Sequence, residues 1–307
     1  MFRKILITGV SGQLGSNIAY LMHGQSNDRC TDILGMYNEK MAYSSYIKTI
    51  SMNSFLNGDL DFHPDLIIHC AALANIDKCE IYPDLAFKSN VILTEKICKM
   101  FPYTTIVYIS TDSVYSGGPH IFSEGDPAVP RNNYGRTKLL GEKIVEQNST
   151  NYIIVRTNIY GWDNRTKTNS FLERIIQNFV NNIDNNLFYD VFYCPISINL
   201  LFEIILECLR LEAYGTYNIV GPCISKLSFG SLICQLFGYS NKKINPISID
   251  DIAMIAPRPK ILDLSNEKIA AIHPQISMST YDQLNNMKSI YKSGYKYRLS
   301  NFITIGD

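Results

Sequence analysis

The sequence predicts a doubly wound α/β fold, a parallel β-sheet covered on both faces by helices, with a smaller interleaved C-terminal α/β lobe. Three observations carry this. Short apolar runs alternate with longer segments whose apolar residues recur at helical spacing through the first half of the chain. The first apolar run ends in a turn with glycines at 9, 12 and 15 that leads straight into a helical pattern. Beyond Gly161 the regular alternation weakens, without any Gly/Ser linker to mark a clean boundary.

Each element follows from local pattern. Residues 4–8 form a buried strand, because the apolar run is short and stops at a glycine, and a helix begins at 15–23. Residues 32–37 read as a second strand and 46–50 as a short third, followed by a helical turn around 54–57. Pro64 before and Ala71-Ala72 after bound a strand at 66–70. Residues 83–100 form a helix, 105–110 a strand, 134–148 a long helix and 152–156 another strand. Farther on, 171–181, 200–211 and 228–237 are helical and 216–220 is a strand. The Pro-rich APRPK at 256–260 and the polar tail from about 275 are assigned to lobe and surface. The division expected is 1–160 for the sheet unit, with parts of 186–215 returning to it, and 161–307 mainly for the lobe.

Composition narrows the function classes. Of 307 residues, 46% are hydrophobic and 18% charged, and Lys+Arg and Asp+Glu are both 28. A neutral balance offers no electrostatic footprint for nucleic acid or an anionic membrane surface, so neither is an expected partner. The apolar run at 5–10 is too short for a secretory segment, and no run approaches the ~20 residues that span a bilayer. The expectation is a cytoplasmic protein. Eight cysteines, at 30, 70, 79, 98, 194, 208, 223 and 234, show no CxxC or Cys/His cluster, so they are expected to be reduced and buried, with no metal.

The glycine turn, Thr8-Gly9-Val10-Ser11-Gly12-Gln13-Leu14-Gly15, has the strand-before, helix-after context of a dinucleotide cradle. Gly9 permits the turn, Gly12 lets the backbone approach a pyrophosphate, and Gly15 allows close packing, while the helix start offers free N–H groups. Ser11, Gln13 and Leu14 join these glycines as expected cofactor contacts, which makes the sheet Rossmann-type. The spacing is GxxGxxG rather than GxGxxG. At the end of the second strand the first polar position is neutral Asn38, with Lys40 close by, which leans toward NADPH; Glu39 leaves NADH open. Asp59 and Leu60 are candidate adenine contacts.

Tyr134 and Lys138 lie four apart on the long helix, so phenol and ammonium can face one ligand, and a nearby ammonium lowers a tyrosine pKa toward the range of a general acid. Thr111 follows an apolar strand, at the edge where doubly wound sheets bind ligands. Together with ITGVSGQLGSN, PDLIIHCAALANIDKCE, STDSVYSG, YGRTKLLGE, RTNIYG, GTYNIVGP and APRPKILDLS, these residues resemble the extended short-chain dehydrogenase/reductases. Within that group the chain is similar to the dTDP-4-dehydrorhamnose reductase family. The matches run in order from about residue 5 to residue 265.

The resemblance implies a catalytic set of Thr111, Tyr134 and Lys138 that reduces a sugar C4 carbonyl. It also implies that Cys70, Ala71, Ala72, Asn90 and Thr157 lie along the cofactor, and that Ser113 and Asn158 face a nucleotide-sugar substrate. Arg258 is the candidate to meet its diphosphate, since a guanidinium binds such oxygens in bidentate fashion, with a structural salt bridge as the alternative. Dehydratases of the superfamily carry Asp-Glu after the catalytic Thr, and GDP-fucose synthases a Cys; Asp112-Ser113 stands here, which points to a plain reductase. The rhamnose reductases themselves usually have an aromatic residue in place of Ser113 and a Trp nearer than Trp162, so the particular sugar stays open. Two other functions are weighed: a non-catalytic NADP-binding regulatory subunit, as in methionine adenosyltransferase, and a sugar-nucleotide epimerase with tightly held NAD. A homodimer is compatible with the sequence. His69, inside an apolar strand, reads as a satisfied core residue.

Overall fold

The computed structural model describes residues 2–25, 31–38, 40–165, 170–240 and 243–306. Seven strands make the central sheet: β1 (Lys4–Thr8), β2 (Asp32–Tyr37), β3 (Lys48–Ser51), β4 (Leu66–His69), β5 (Thr105–Ile109), β6 (Tyr152–Arg156) and β7 (Gly215–Asn218). Their order is β3-β2-β1-β4-β5-β6-β7, with every neighbouring pair parallel. The winding reverses between β1 and β4, which opens a crevice at the carboxyl ends of those strands.

The strands are apolar throughout because both faces are covered. Side chains alternate between faces along a strand. Ile5, Ile7, Ile68, Val107 and Val155 point to one face, against Ile18 and Met22 of helix Gln13–Gln25 and Leu201 and Ile205 of helix Ile198–Arg210. Leu6, Leu34, Ile67, Ile106 and Ile154 point to the other, against Phe55, Ile97 and Val145. Each such side chain contributes roughly 1.5–3 kcal/mol by leaving water.

Helix Ile198–Arg210 and β7 belong to the central sheet unit, whereas Asn185–Phe188 pairs in parallel with Ile244–Ile247 away from it. The tail differs from expectation. It contains helices Thr280–Lys292 and Tyr295–Phe302, which bury Leu284, Met287, Tyr295, Leu299 and Phe302. Polar residues outnumber apolar ones there, so the helical spacing of the few buried residues was hidden. The lobe core gathers Tyr160, Trp162, Leu172, Phe229, Ile233 and Leu284. It is tied to the first helix by Gln13 Nε2, which donates to Gly161 O at 2.7 Å, and by Asn17 Nδ2, which donates to Trp162 O at 2.8 Å. Among the described residues no helix is long and apolar enough to cross a membrane.

The cysteines depart from expectation at one position. Cys79, Cys98, Cys194, Cys208 and Cys234 are buried and Cys70 is half-buried, but Cys223 is exposed. Cys30 and Glu39 lie outside the described residues.

His69 is buried between two hydroxyls, with Nδ1 2.7 Å from Thr8 Oγ1 and Nε2 3.0 Å from Thr94 Oγ1. Burial, and then the charge of Lys138, lowers its pKa to about 3. The native state therefore holds His69 neutral while the unfolded chain protonates it below the ordinary value of 6.5. The stabilisation is complete above that value and is lost progressively as pH falls toward about 3. Urea unfolding of the wild type is expected to show this acid-side slope, and His69→Gln to flatten it; equal slopes would refute the assignment.

Candidate active site

The cradle has the geometry its glycines suggest. Gly9 sits at φ +73°, and a Cβ on Gly15 would stand 2.3 Å from the Gly9 carbonyl oxygen, so neither position takes a side chain without moving the turn. Gly12 N donates to Gly9 O at 2.9 Å. Ser11 and Gly12 are half-buried, and Gln13 and Leu14 open the helix, whose first N–H groups lack intrahelical acceptors. One amide N–H of the Gln13 side chain is engaged by the Gly161 carbonyl. Ala71 N donates to Thr8 Oγ1 at 3.0 Å, which brings the Cys70-Ala71-Ala72 stretch against the turn. Burial pushes the Cys70 thiol up to about 12, so it stays a neutral wall.

The residues expected at the adenosine end fall in two places. Asn38 and Lys40 are exposed beyond β2, at the carboxyl edge. Asp59 and Leu60, also exposed, come after helix Met52–Leu56, on the stretch returning to the start of β4. The residue at the edge beside them is Ser51, paired with Tyr37, and it caps that helix through Ser54 N at 3.1 Å. The third strand runs to Ser51, one residue beyond the expected end, and that shift moves the edge.

Three predicted residues from two segments converge on a fourth. Thr111 caps a short 3-10 turn after β5. Its hydroxyl donates to Asp112 Oδ1 at 3.0 Å, Ser113 Oγ donates to the same oxygen at 3.2 Å, and Asn158 Nδ2 donates to Asp112 Oδ2 at 2.6 Å. Asp112 is buried, which raises its pKa against the lowering effect of these hydrogen bonds. It was noted in the sequence only for lacking a glutamate partner, and no motif marks it as the hub.

Tyr134 is half-buried beside Thr111. Its helix, Asn133–Asn148, is held by Asn132, whose Oδ1 accepts from Gly135 N at 2.9 Å and whose Nδ2 donates to Pro257 O at 3.0 Å. The expected lowering of the Tyr134 pKa by Lys138 is not what the geometry gives. Burial pushes the phenol up, Thr111 works against this, and the charge of Asp112 adds to the rise. Lys138 is buried with its ammonium 3.9 Å from the centre of the Tyr108 ring, and burial lowers it to about 7 while Glu142 and Cys70 work to raise it. The two side chains share a helix face but face different partners.

Behind them, Glu142 takes Arg156 Nη2 at 2.7 Å and Ser110 Oγ, and Arg156 Nη1 donates to Tyr115 Oη at 2.7 Å. Asn90 sits in a π-helical turn, Lys88–Ile92, and its amide is fully used: Oδ1 accepts from Leu73 N at 2.7 Å, and Nδ2 donates to Leu73 O and Thr137 Oγ1. These bonds make it a strut between elements. Thr157 differs, since its hydroxyl is buried without any hydrogen-bond partner. An unmet polar atom costs stability unless a ligand satisfies it. This hydroxyl and the glycine cradle are the two features that fit a bound dinucleotide.

On the substrate side, Arg258 Nη2 pairs with Asp77 Oδ2 at 2.8 Å, and its Nε has no partner. Two cations stand near it that the sequence did not single out. Lys226 lies 5.5 Å from the centres of the Phe171 and Tyr193 rings, and burial, then the charges of Arg258 and Arg174, lower it to about 8. The opposing pull comes from Asp112. Three cations so gathered raise one another's cost, which an anion would relieve. They come from three separate stretches of the lobe, so no spacing announces them.

The RmlD substrate binding domain model matches residues 3–291. The probable low-salt glycan biosynthesis reductase Agl14 of Haloferax volcanii is 26% identical, covering 85% of this chain and 89% of that relative. The dTDP-4-dehydrorhamnose reductase of Shigella flexneri is 27% identical, covering 92% and 98%. The crystal structure of dTDP-4-dehydrorhamnose reductase from Bacillus anthracis in complex with NADP superposes with a TM-score of 0.79 at 24% identity, covering 94% of this chain and 100% of that one.

Proposed function

The chain belongs to the family of the RmlD substrate binding domain, and from that premise we propose that it is an NAD(P)H-dependent reductase of a nucleotide-activated 4-keto-6-deoxysugar. It is an oxidoreductase acting on a nucleotide sugar, like the full-length reductases it resembles. The observation that carries the reading is the Tyr134 phenol beside Thr111, whose hydroxyl is fixed on Asp112 just past the carboxyl end of β5. NADPH is the assigned cofactor, with NADH as the alternative carrier.

When bound, the cofactor supplies hydride from its nicotinamide. The rest falls to side chains. Backbone N–H groups of residues 11, 13 and 14 would hold the pyrophosphate with Gly12 letting it approach, Ala71 and Ala72 would line its path, and Asn38 and Lys40 would meet the adenosine end. Thr157 would give its unpaired hydroxyl to the carboxamide, and Lys138 would hold the adjoining ribose. Tyr134 would donate its proton to the C4 oxygen as negative charge develops there, and the Thr111 hydroxyl would turn from Asp112 to hydrogen-bond that oxygen. Asp112, fixed by Asn158, sets the orientation of Thr111 and Ser113. Lys226, Arg174 and Arg258 would receive the diphosphate. The reading includes a cytoplasmic location; sedimentation tests the homodimer.

The deciding experiment follows NADPH oxidation with dTDP-, GDP-, UDP- and CDP-linked 4-keto-6-deoxysugars and determines product stereochemistry. Oxidation with at least one of them is expected. No oxidation with any, together with a stable complex with another enzyme, would favour the regulatory-subunit role instead. With the active substrate, Lys226→Gln is expected to raise KM about tenfold or more while kcat holds, since a charged hydrogen bond is worth ~1.5–3 kcal/mol. The wild-type KM should climb as pH rises through about 8, where Lys226 loses its charge, and the variant should lack that climb.

A further inference from the structure

Strand register brings two thiols and a carboxylate together on the lobe, where the sequence shows no metal-binding spacing. Phe192–Tyr193 pairs antiparallel with Ile224–Ser225, with Phe192 opposite Ser225 and Tyr193 opposite Ile224. On its other side Phe192 bridges Ile261 in parallel, and Leu262 N donates to Phe192 O at 3.1 Å. Continued along the chain, both registers put Cys194 between Cys223 and Asp263. The ligand atoms of all three lie within 4.8 Å of one another. Cys194 Sγ donates to Asp263 Oδ1 at 3.3 Å. Cys194 is buried, Asp263 half-buried and Cys223 exposed, so the cluster has a closed floor and one face to solvent.

We propose that Cys194, Cys223 and Asp263 form a site for a thiophilic divalent cation, Zn²⁺ in the first instance, with the fourth position open on the Cys223 side. Tetrahedral zinc with Zn–S of ~2.3 Å and Zn–O of ~2.1 Å sets sulfur and oxygen ligands about 3.6 Å apart. The 3.3 Å separation of Cys194 Sγ and Asp263 Oδ1 needs little adjustment to reach it. A disulfide suits the register less well. Directly opposed cross-strand residues have Cβ atoms ~4.5–5.5 Å apart, against ~3.5–4.5 Å in a relaxed disulfide. Two thiolates and a carboxylate carry enough charge to neutralise the cation, and binding releases both thiol protons to solvent. The ion would clasp the segment after β7, the strand Asp263–Leu264 and the stretch after Tyr193, stiffening the wall that carries Lys226 and Arg258.

The test uses full-length, tag-free protein kept reduced with a phosphine, equilibrated with Zn²⁺ and analysed by elemental mass spectrometry. One Zn²⁺ per chain is expected, with a rise in Tm on saturation. In Co²⁺-substituted protein, thiolate-to-metal charge-transfer absorption should appear. Cys223→Ser, at an exposed position, and Asp263→Asn should each weaken Zn²⁺ at least about tenfold, since even loss of an outer partner costs 10–100-fold. The proposal is overturned if no stoichiometric metal binds or if affinity is unchanged in both variants. A Cys194–Cys223 disulfide in protein prepared without reductant would overturn it as well.

Discussion

Tyr134→Phe is expected to lower kcat by about 10²–10⁴, the range that a positioned general acid contributes, while NADPH affinity stays within about threefold of wild type. The phenol is the one acidic hydrogen at the junction of the Thr111–Asp112 run, and the substitution removes a single oxygen. Neither the cradle nor the Thr157 hydroxyl depends on that oxygen, so cofactor titration by fluorescence should barely move. Because burial pushes the Tyr134 pKa above its ordinary value of 10, the phenol stays protonated across the neutral range, as a proton donor must. Thr111→Val should cost less, since it leaves the proton donor in place and removes only the hydroxyl offered to the developing alkoxide. Single-turnover NADPH oxidation separates the steps. A Tyr134→Phe enzyme that turns over within threefold of wild type would remove Tyr134 from the chemistry.

The sheet was legible because burial on both faces forces an apolar run with little polar interruption. β1, β4, β5 and β6 are such runs, and each ends where polar chemistry begins. β3 is half-exposed at the sheet edge and its pattern is weak, so it ends at Ser51, one residue beyond the expected boundary. The tail helices escaped because their docking is tertiary: Tyr295 donates to Asn17 Oδ1 at 2.9 Å across nearly the whole chain.

The candidate site divides the same way. Thr111, Tyr134, Lys138 and the glycines stand at fixed spacings on single elements, so sequence alone suggested them. Asp112 acts through partners as distant as Asn158, and Lys226, Arg174 and Arg258 meet only when the lobe folds. The supposed effect of Lys138 on Tyr134 assumed that four-residue spacing implies contact. The buried surroundings decide instead, by turning the ammonium onto Tyr108 and toward Glu142.

Glu142→Gln should produce the largest loss of stability, about 3–5 kcal/mol, the cost of removing one partner from a buried ion pair. Glu142 is 1% exposed and Arg156 7%. Burial disfavours the guanidinium charge, but the hydrogen bonds and charge of Glu142 outweigh this and hold its pKa above the usual range. Glutamine keeps the shape but removes the countercharge and turns one of the two accepting oxygens toward Arg156 into an NH2 group, which leaves the guanidinium a single amide oxygen and the Tyr115 hydroxyl. The same loss reaches the site, because Glu142 is the first group raising the Lys138 pKa against burial. Without it, Lys138 should fall further below about 7, and the pH dependence of NADPH binding should move to lower pH. Denaturant unfolding and binding titrations read the two effects separately. The double variant Glu142→Leu with Arg156→Met should recover much of the stability, since well-packed apolar groups often match a buried pair. It should not recover the Lys138 titration, because the countercharge is still gone. A Glu142→Gln protein within about 1 kcal/mol of wild type would mean that water or a rearranged partner replaces the carboxylate, and that the pair does not set the charge of Lys138.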